Sequence, residues 1–228
     1  LKAFSITWRA LVSYYDEFFF LVGMSLLWWV TGGMFAGAAL VAGWILASTE
    51  GPWWLAPLLA IPAGPASAAM ANVARQVARD LSVNRTVYFG GLRSYWRRAL
   101  AVSAIGMVIL SLLLLNAAFY ASQHTTLMWA ITFFWAYLSA FWILVQVYQY
   151  PVLVGMENPK IFGVLRISLA IVFASPIFSI LLLAAAAVLS VICLLLAVTL
   201  FVAWPAVMIL LGEHSVKFYV DRATQKPS

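Results

Sequence analysis

Charge is what this sequence has least of. Asp, Glu, Lys and Arg together make up 9% of its 228 residues, where a soluble domain carries about 25%. So few charges cannot cover a globular surface. With 65% hydrophobic residues and a mean hydropathy of +1.01, the chain reads as an integral membrane protein. Water-soluble enzymes, nucleic-acid-binding modules and disordered tails are excluded on that ground. Cysteine is nearly absent as well: Cys193 stands alone among Val191, Ile192 and Leu194. One cysteine forms no internal disulfide and no Cys/His zinc cluster, which excludes a secreted disulfide scaffold. The sequence also lacks a Walker loop, a nucleophile constellation and any metal-ligand spacing, so neither cofactor nor metal is expected.

What is present is long apolar sequence. Residues 18–49, 51–74, 99–156 and 167–212 carry no charged side chain, and a spanning helix takes about 20 residues. The first run is read as one tilted or bent crossing, with Gly32, Gly33 and Gly37 as kink points and Glu50 and Pro52 as its stop. The second holds one crossing. The third holds two, split at the polar stretch Ser122, Gln123, His124, Thr125 and Thr126. The last is divided by Pro176 and Pro205 and is read as two. The expected architecture is an all-α polytopic membrane helix bundle with about six transmembrane helices, five being the alternative. The expected crossings are 18–46, 53–74, 99–120, 127–150, 176–196 and 198–219. The first helix is expected to serve as an uncleaved signal anchor, because its apolar run is too long for a cleavable signal.

Orientation follows from the cations. Residues 75–98 carry six Arg against one Asp, and six crossings place every Lys and Arg on one side. The positive-inside tendency makes that side cytoplasmic, with both termini there. In the basic stretch, Tyr88, Phe89, Leu92, Tyr95 and Trp96 interleave with Arg93, Arg97 and Arg98. This spacing predicts an amphipathic helix over 86–98 lying in the interface. Arg93, Arg97, Arg98, Tyr95 and Trp96 are therefore the candidate contacts to anionic lipid or to a partner protein. A nucleic-acid partner is not expected, since a short basic strip beside a membrane is better matched by lipid headgroups. The pattern Phe89-Gly90-Gly91-Leu92-Arg93 returns as Phe162-Gly163-Val164-Leu165-Arg166, which predicts a second interfacial helix over 159–174.

Inside the apolar runs, Asn72, Asn116, Gln146, Tyr148, Gln149 and Tyr150 read first as interhelical hydrogen-bonding groups. A sharper reading takes Gln146, Gln149 and Tyr150, within about one turn and followed by Pro151, as a polar vestibule for a sugar. Pro62, Gly64 and Pro65 interrupt the second helix. Beyond them Ala66, Ala69 and Val73, or Ser67, Met70 and Ala74, recur at helical spacing as small residues suited to tight packing. A broken helix facing a substrate is the other reading. No acidic residue falls in mid-membrane, where it would point to function by default. Glu213 and His214 sit at the inner boundary, and adjacent helix positions point apart, so they read as a cap or a solvated pair.

Several segments resemble one family in the same order. They are Leu26-Leu27-Trp28-Trp29, Gly64-Pro65-Ala66-Ser67-Ala68-Ala69, and Phe89-Gly90-Gly91-Leu92-Arg93-Ser94-Tyr95-Trp96-Arg97-Arg98. Gln146-Val147-Tyr148-Gln149-Tyr150-Pro151, Leu165-Arg166-Ile167-Ser168-Leu169 and Ser175-Pro176-Ile177-Phe178-Ser179 continue the series. Together they look like the YesL-like family of bacterial integral membrane proteins, a domain of unknown function. One departure is that residues 33–61 are longer than the family's usual first hairpin. The resemblance implies a bacterial cell-membrane location and an accessory role beside carbohydrate-uptake ABC systems; it supplies no catalytic residues. The expected function is a non-catalytic membrane subunit that binds another membrane protein or larger complex. A stand-alone transporter of a small polar solute is the alternative and a membrane-embedded enzyme the third. An ABC permease proper is disfavoured, because residues 75–98 hold no acidic-Ala-Ala…Gly coupling loop.

Overall fold

The computed structural model describes residues 18–79, 84–123, 125–174 and 204–224, with 181, 184 and 188. Apart from those three positions the expected crossing at 176–196 lies outside the described residues, as do Cys193, His124 and the extreme termini. What is described is all-α, and four of its helices are long and apolar enough to cross a membrane. The outer faces of the first and fourth suit a lipid surrounding: Val30, Leu40, Trp44, Phe133, Phe134 and Tyr137 are exposed. A water-soluble monomer rarely displays so continuous an apolar surface.

The first span, α1, runs as Phe18–Trp28, a π-helical turn at Trp29–Gly33, and Met34–Ser48. The bend expected at Gly32 and Gly33 is thus a π turn within one continuous helix, and the helix ends at Ser48, just before Glu50, which takes a positive φ of 55°. The second span, α2, changes helix type where Pro62, Gly64 and Pro65 predicted a break: Trp53–Ala63 is 3-10 and Gly64–Val77 is α. Pro57 and Pro62 supply no N–H to an α-helical ladder, which suits the tighter winding. The two irregular points meet, since a methyl at Gly32 would come within 3.1 Å of Ala63 Cα.

The third span, α3 (Arg85–Ala121), is 37 residues without interruption. The separate interfacial helix expected over 86–98 is instead its first third. No proline falls within α3, and Gly90 and Gly91 do not break it because Gly91 lies against Ala69 Cα and Asn72 Cβ of α2. At 1.5 Å per residue α3 is about 55 Å long, against about 30 Å of hydrocarbon. When 99–118 crosses, 85–98 stands beyond the apolar layer. The fourth span, α4 (Thr126–Gly155), is capped by Thr125 and ends five residues beyond the expected 150, continuing through Pro151. A shorter helix, α5 (Ile161–Ala174), falls where a second interfacial helix was expected. The last described helix, α6 (Trp204–Thr224), covers part of the expected 198–219 crossing and is not among the four long apolar helices.

Packing centres on α2. Its small residues Ala66, Ala69, Val73, Met70 and Ala74 are all buried, as their spacing suggested. It runs antiparallel to α3: Gly64 abuts Ser103 and Ala99 at one end, and Asn72 meets Gly91 at the other. Asn72 Nδ2 donates to the Val87 carbonyl at 3.0 Å. One core cluster joins Leu21, Met24 and Trp28 of α1 to Met70 and Val73 of α2, with Tyr148, Leu210 and Leu211. A second joins Ala99 and Val102 of α3 to Val152 and Leu153 of α4 and Val164 of α5.

Candidate functional site

The basic end of α3 divides its side chains sharply. Tyr88 is fully buried and its hydroxyl pairs with Thr31 Oγ1 at 2.6 Å. Gly91 and Ala99 are buried, and Leu92 and Tyr95 are half-buried. Phe89 is 52% and Trp96 47% exposed, and Arg93, Arg97 and Arg98 are exposed with them. The single aromatic face expected from the sequence is therefore two faces. Tyr88, Leu92 and Tyr95 pack inward, while Phe89 and Trp96 share the outer face with arginines. Arg93 and Arg97, four residues apart, stand on one side of the helix, and the Arg97 guanidinium lies 5.1 Å from the Trp96 ring. Among the described residues none of the three arginines makes an ion pair or hydrogen bond. Of the sequence-expected contact set, Arg93, Trp96, Arg97 and Arg98 are presented outward and Tyr95 is not.

The repeated pentapeptide reproduces this arrangement on α5. Phe162 is 80% exposed, Arg166 is exposed and Val164 is buried, in the positions of Phe89, Arg93 and Gly91. Both copies thus lay a phenyl ring and a guanidinium outward, and the middle residue inward.

A polar junction lies where α2 and α4 end beside the second half of α6. Arg75 of α2 donates from Nη1 to the Val154 carbonyl, one of the last four carbonyls of α4, which have no partner within the helix. Lys217 of α6 donates from Nζ to the Ala78 carbonyl at 2.8 Å and so caps α2. Glu213, one turn before Lys217, is only 6% exposed, and its Oε2 has no hydrogen-bond partner. This corrects the reading of Glu213 as a solvated pair with His214. Burial pushes the Glu213 carboxyl up to about 7, against the opposing pull of Arg75, Arg79 and Lys217. Arg75 and Lys217 thus each serve both a helix C-terminus and a buried acid, an arrangement that suits fixing the helix ends. The roles of Arg75 and Lys217 were missed in the sequence because their partners are remote backbone carbonyls, which no spacing rule encodes.

Gln146, Gln149 and Tyr150 separate. Gln146 and Tyr150 line a cavity of about 230 Å³, together with Ile143, Val147 and Pro151 of the same α4 face. Trp28, Ser67, Pro205, Met208 and Ile209 line it from the other helices. Gln149 turns towards α3: it is buried, and a methyl at Gly106 would lie 3.3 Å from its Oε1. Gln146 Nε2 and Trp142 Nε1 both donate to the Gly106 carbonyl, at 3.3 and 2.8 Å. Asn116, by contrast, donates to Leu112 of its own helix. Among the described residues no group of three or more His, Cys, Asp or Glu side chains could hold a metal ion.

Comparison with known proteins identifies no relative: no family model, no curated protein and no solved structure matches the chain.

Proposed function

We propose that this protein is a non-catalytic subunit of a cell membrane that binds another membrane protein or larger complex through the outer face of 85–98. The observation carrying this reading is the pairing of exposed Phe89 and Trp96 with Arg93 and Arg97, guanidinium groups that no described carboxylate engages. A planar guanidinium is suited to bidentate capture of carboxylate or phosphate, and aromatic and Arg side chains are the anchors typical of interfaces. Anionic lipid headgroups meet the same strip at its margin. The positive-inside tendency puts this end, and both termini, in the cytoplasm. The resemblance to the YesL-like family directs the reading to bacteria and to a partner in carbohydrate ABC import.

The test is purification of the full chain from its native membrane in mild detergent at graded salt, with mass spectrometry of what accompanies it. One stoichiometric membrane partner, released by salt and lost when Arg93 and Arg97 are both changed to Ala, is the expected result. Recovery of the chain alone at every salt concentration overturns the subunit reading.

A further inference from the structure

The cavity between α1, α2, α4 and α6 is independent of the arginine face, and its chemistry selects a different kind of guest. Its walls are mainly apolar, with Ile143 and Val147 of α4 facing Met208 and Ile209 of α6. Pro151 cannot donate to the Val147 carbonyl, and α6 comes close there, since a methyl at Gly212 would lie 3.0 Å from that oxygen. Polar capacity is small and mostly spent. Ser67 Oγ donates to the Ala63 carbonyl at 3.0 Å and accepts from Trp28 Nε1 at 3.2 Å. Gln146 Nε2 is engaged by Gly106, and its Oε1 carries no hydrogen bond among the described residues. What remains for a guest among the described residues is one amide oxygen, since the Tyr150 phenol on the next turn is turned to Ser103 of α3.

A monosaccharide needs partners for several hydroxyls and would leave most of them unpaired here, which is strongly unfavourable in an apolar site. A guest with one hydroxyl on an apolar body leaves none. The volume of about 230 Å³ exceeds the roughly 150 Å³ apolar cavity that takes a benzene ring. It falls short of the roughly 300 Å³ at which drug-sized sites begin. We propose that this cavity binds a small amphiphile, a ring or short chain carrying a single hydroxyl, with the hydroxyl on Gln146 and the apolar body against Ile143, Met208 and Ile209. The hydroxyl end of a neutral lipid and a free alkanol or alkylphenol share this chemistry.

The experiment uses the full chain in native membranes with an octanol carrying a photoactivatable diazirine, the labelled peptides being mapped by mass spectrometry. Labelling should concentrate on Trp28 and Met208 over the outward-facing Phe133, and excess octanol or 4-propylphenol should suppress it while glucose does not. Ile143→Trp, which fills the space, should abolish it. Gln146→Leu should weaken labelling by the octanol probe about five- to tenfold, the equivalent of one hydrogen bond, and leave a diazirine-bearing octane unaffected. A neutral lipid co-purifying with the chain and displaced by octanol assigns the site to lipid; site-specific labelling with no such lipid assigns it to a free amphiphile, and both uphold the proposal. Equal labelling of Phe133 and Met208 without competition, protection by glucose, or an octanol signal indifferent to Gln146→Leu overturns it.

Discussion

The Lys217 ammonium donates to the Ala78 carbonyl at 2.8 Å, so the last described helix closes the C-terminus of the second across 139 residues of chain. A cation at a helix C-terminus contributes about 0.3–1 kcal/mol, and exposure of Lys217 keeps the value in that range. Lys217→Met, which retains the apolar stem, should lower stability by about 0.5–1 kcal/mol, read as a fall in the thermal unfolding midpoint in detergent. An unchanged midpoint removes Lys217 from the capping role.

Glu213 should make stability depend on pH. Its carboxyl is raised from 4.5 to about 7 by burial, so the folded state holds the proton more tightly than the unfolded chain. The sign follows from linkage: the stabilising contribution is complete below about 4.5 and is lost as pH rises through about 7. At about 1.4 kcal/mol per pKa unit the loss is on the order of 3 kcal/mol. Thermal unfolding at pH 4.5, 6 and 8 should show this decline in the wild type, and Glu213→Gln should flatten it. A decline of equal size in the Gln variant rules Glu213 out as its source.

Two neighbouring glycines should respond in opposite directions to alanine. A methyl at Gly90 meets nothing within 4 Å, so Gly90→Ala gains helix propensity, about 0.5–1 kcal/mol. A methyl at Gly91 would come 3.1 Å from Asn72 Cβ and 3.2 Å from Ala69 Cα, forcing α2 and α3 apart. Gly91→Ala should cost about 1–3 kcal/mol, the range for overpacking. Thermal unfolding of both variants checks the pair, and the same sign for both contradicts the close approach of α2 and α3.

This contrast marks how much was legible in the sequence. Charge-free runs located the four long apolar helices, since a membrane imposes length and apolarity on each crossing. The Pro62–Gly64–Pro65 interruption and the Gly32–Gly33 pair located the irregular points, because proline and glycine act locally. The amphipathic spacing of 86–98 predicted a helix but not its continuity with the next span. Continuity is decided at Gly91 by contact with Ala69 and Asn72, which is tertiary. Tyr95 was grouped with Trp96 for the same reason: spacing gives a face, and only packing tells which aromatics α2 covers. In the candidate site, residues 146 and 150 were legible together as one helical face, whereas Trp28 and Ser67 reach that cavity from distant sequence. Glu213 was legible as a boundary residue, but its junction with Arg75 and Lys217 was not, because both cations bind remote carbonyls.

Orientation is tested at the two ends of α4. In a Cys193→Ser background, cysteine placed at the exposed positions Gln123 and Glu157 is treated with a membrane-impermeant thiol reagent in intact cells. The positive-inside assignment expects reaction at Gln123 and none at Glu157 until the membrane is permeabilised. The reverse pattern places the arginine face outside and removes a cytoplasmic partner.

Arginine geometry separates lipid anchoring from protein docking. Anionic headgroups ask only for positive charge beside apolar wedges, so Lys in place of Arg93 and Arg97 should leave membrane levels unchanged. A partner offering carboxylates uses the planar fork, in which two parallel N–H groups meet two oxygens, and an ammonium cannot reproduce that arrangement. Because Arg93 and Arg97 share one side of α3, a single acidic patch could engage both. R93K/R97K should therefore retain expression and insertion while reducing co-purification of the partner at least tenfold, equivalent to about 1.4 kcal/mol. Tyr95→Phe serves as the control, since Tyr95 is half-buried and not part of the outer face, and it should keep the partner. If the double lysine variant holds its partner as well as wild type, while R93A/R97A only lowers the amount in the membrane, the strip is a lipid anchor and the docking surface lies elsewhere.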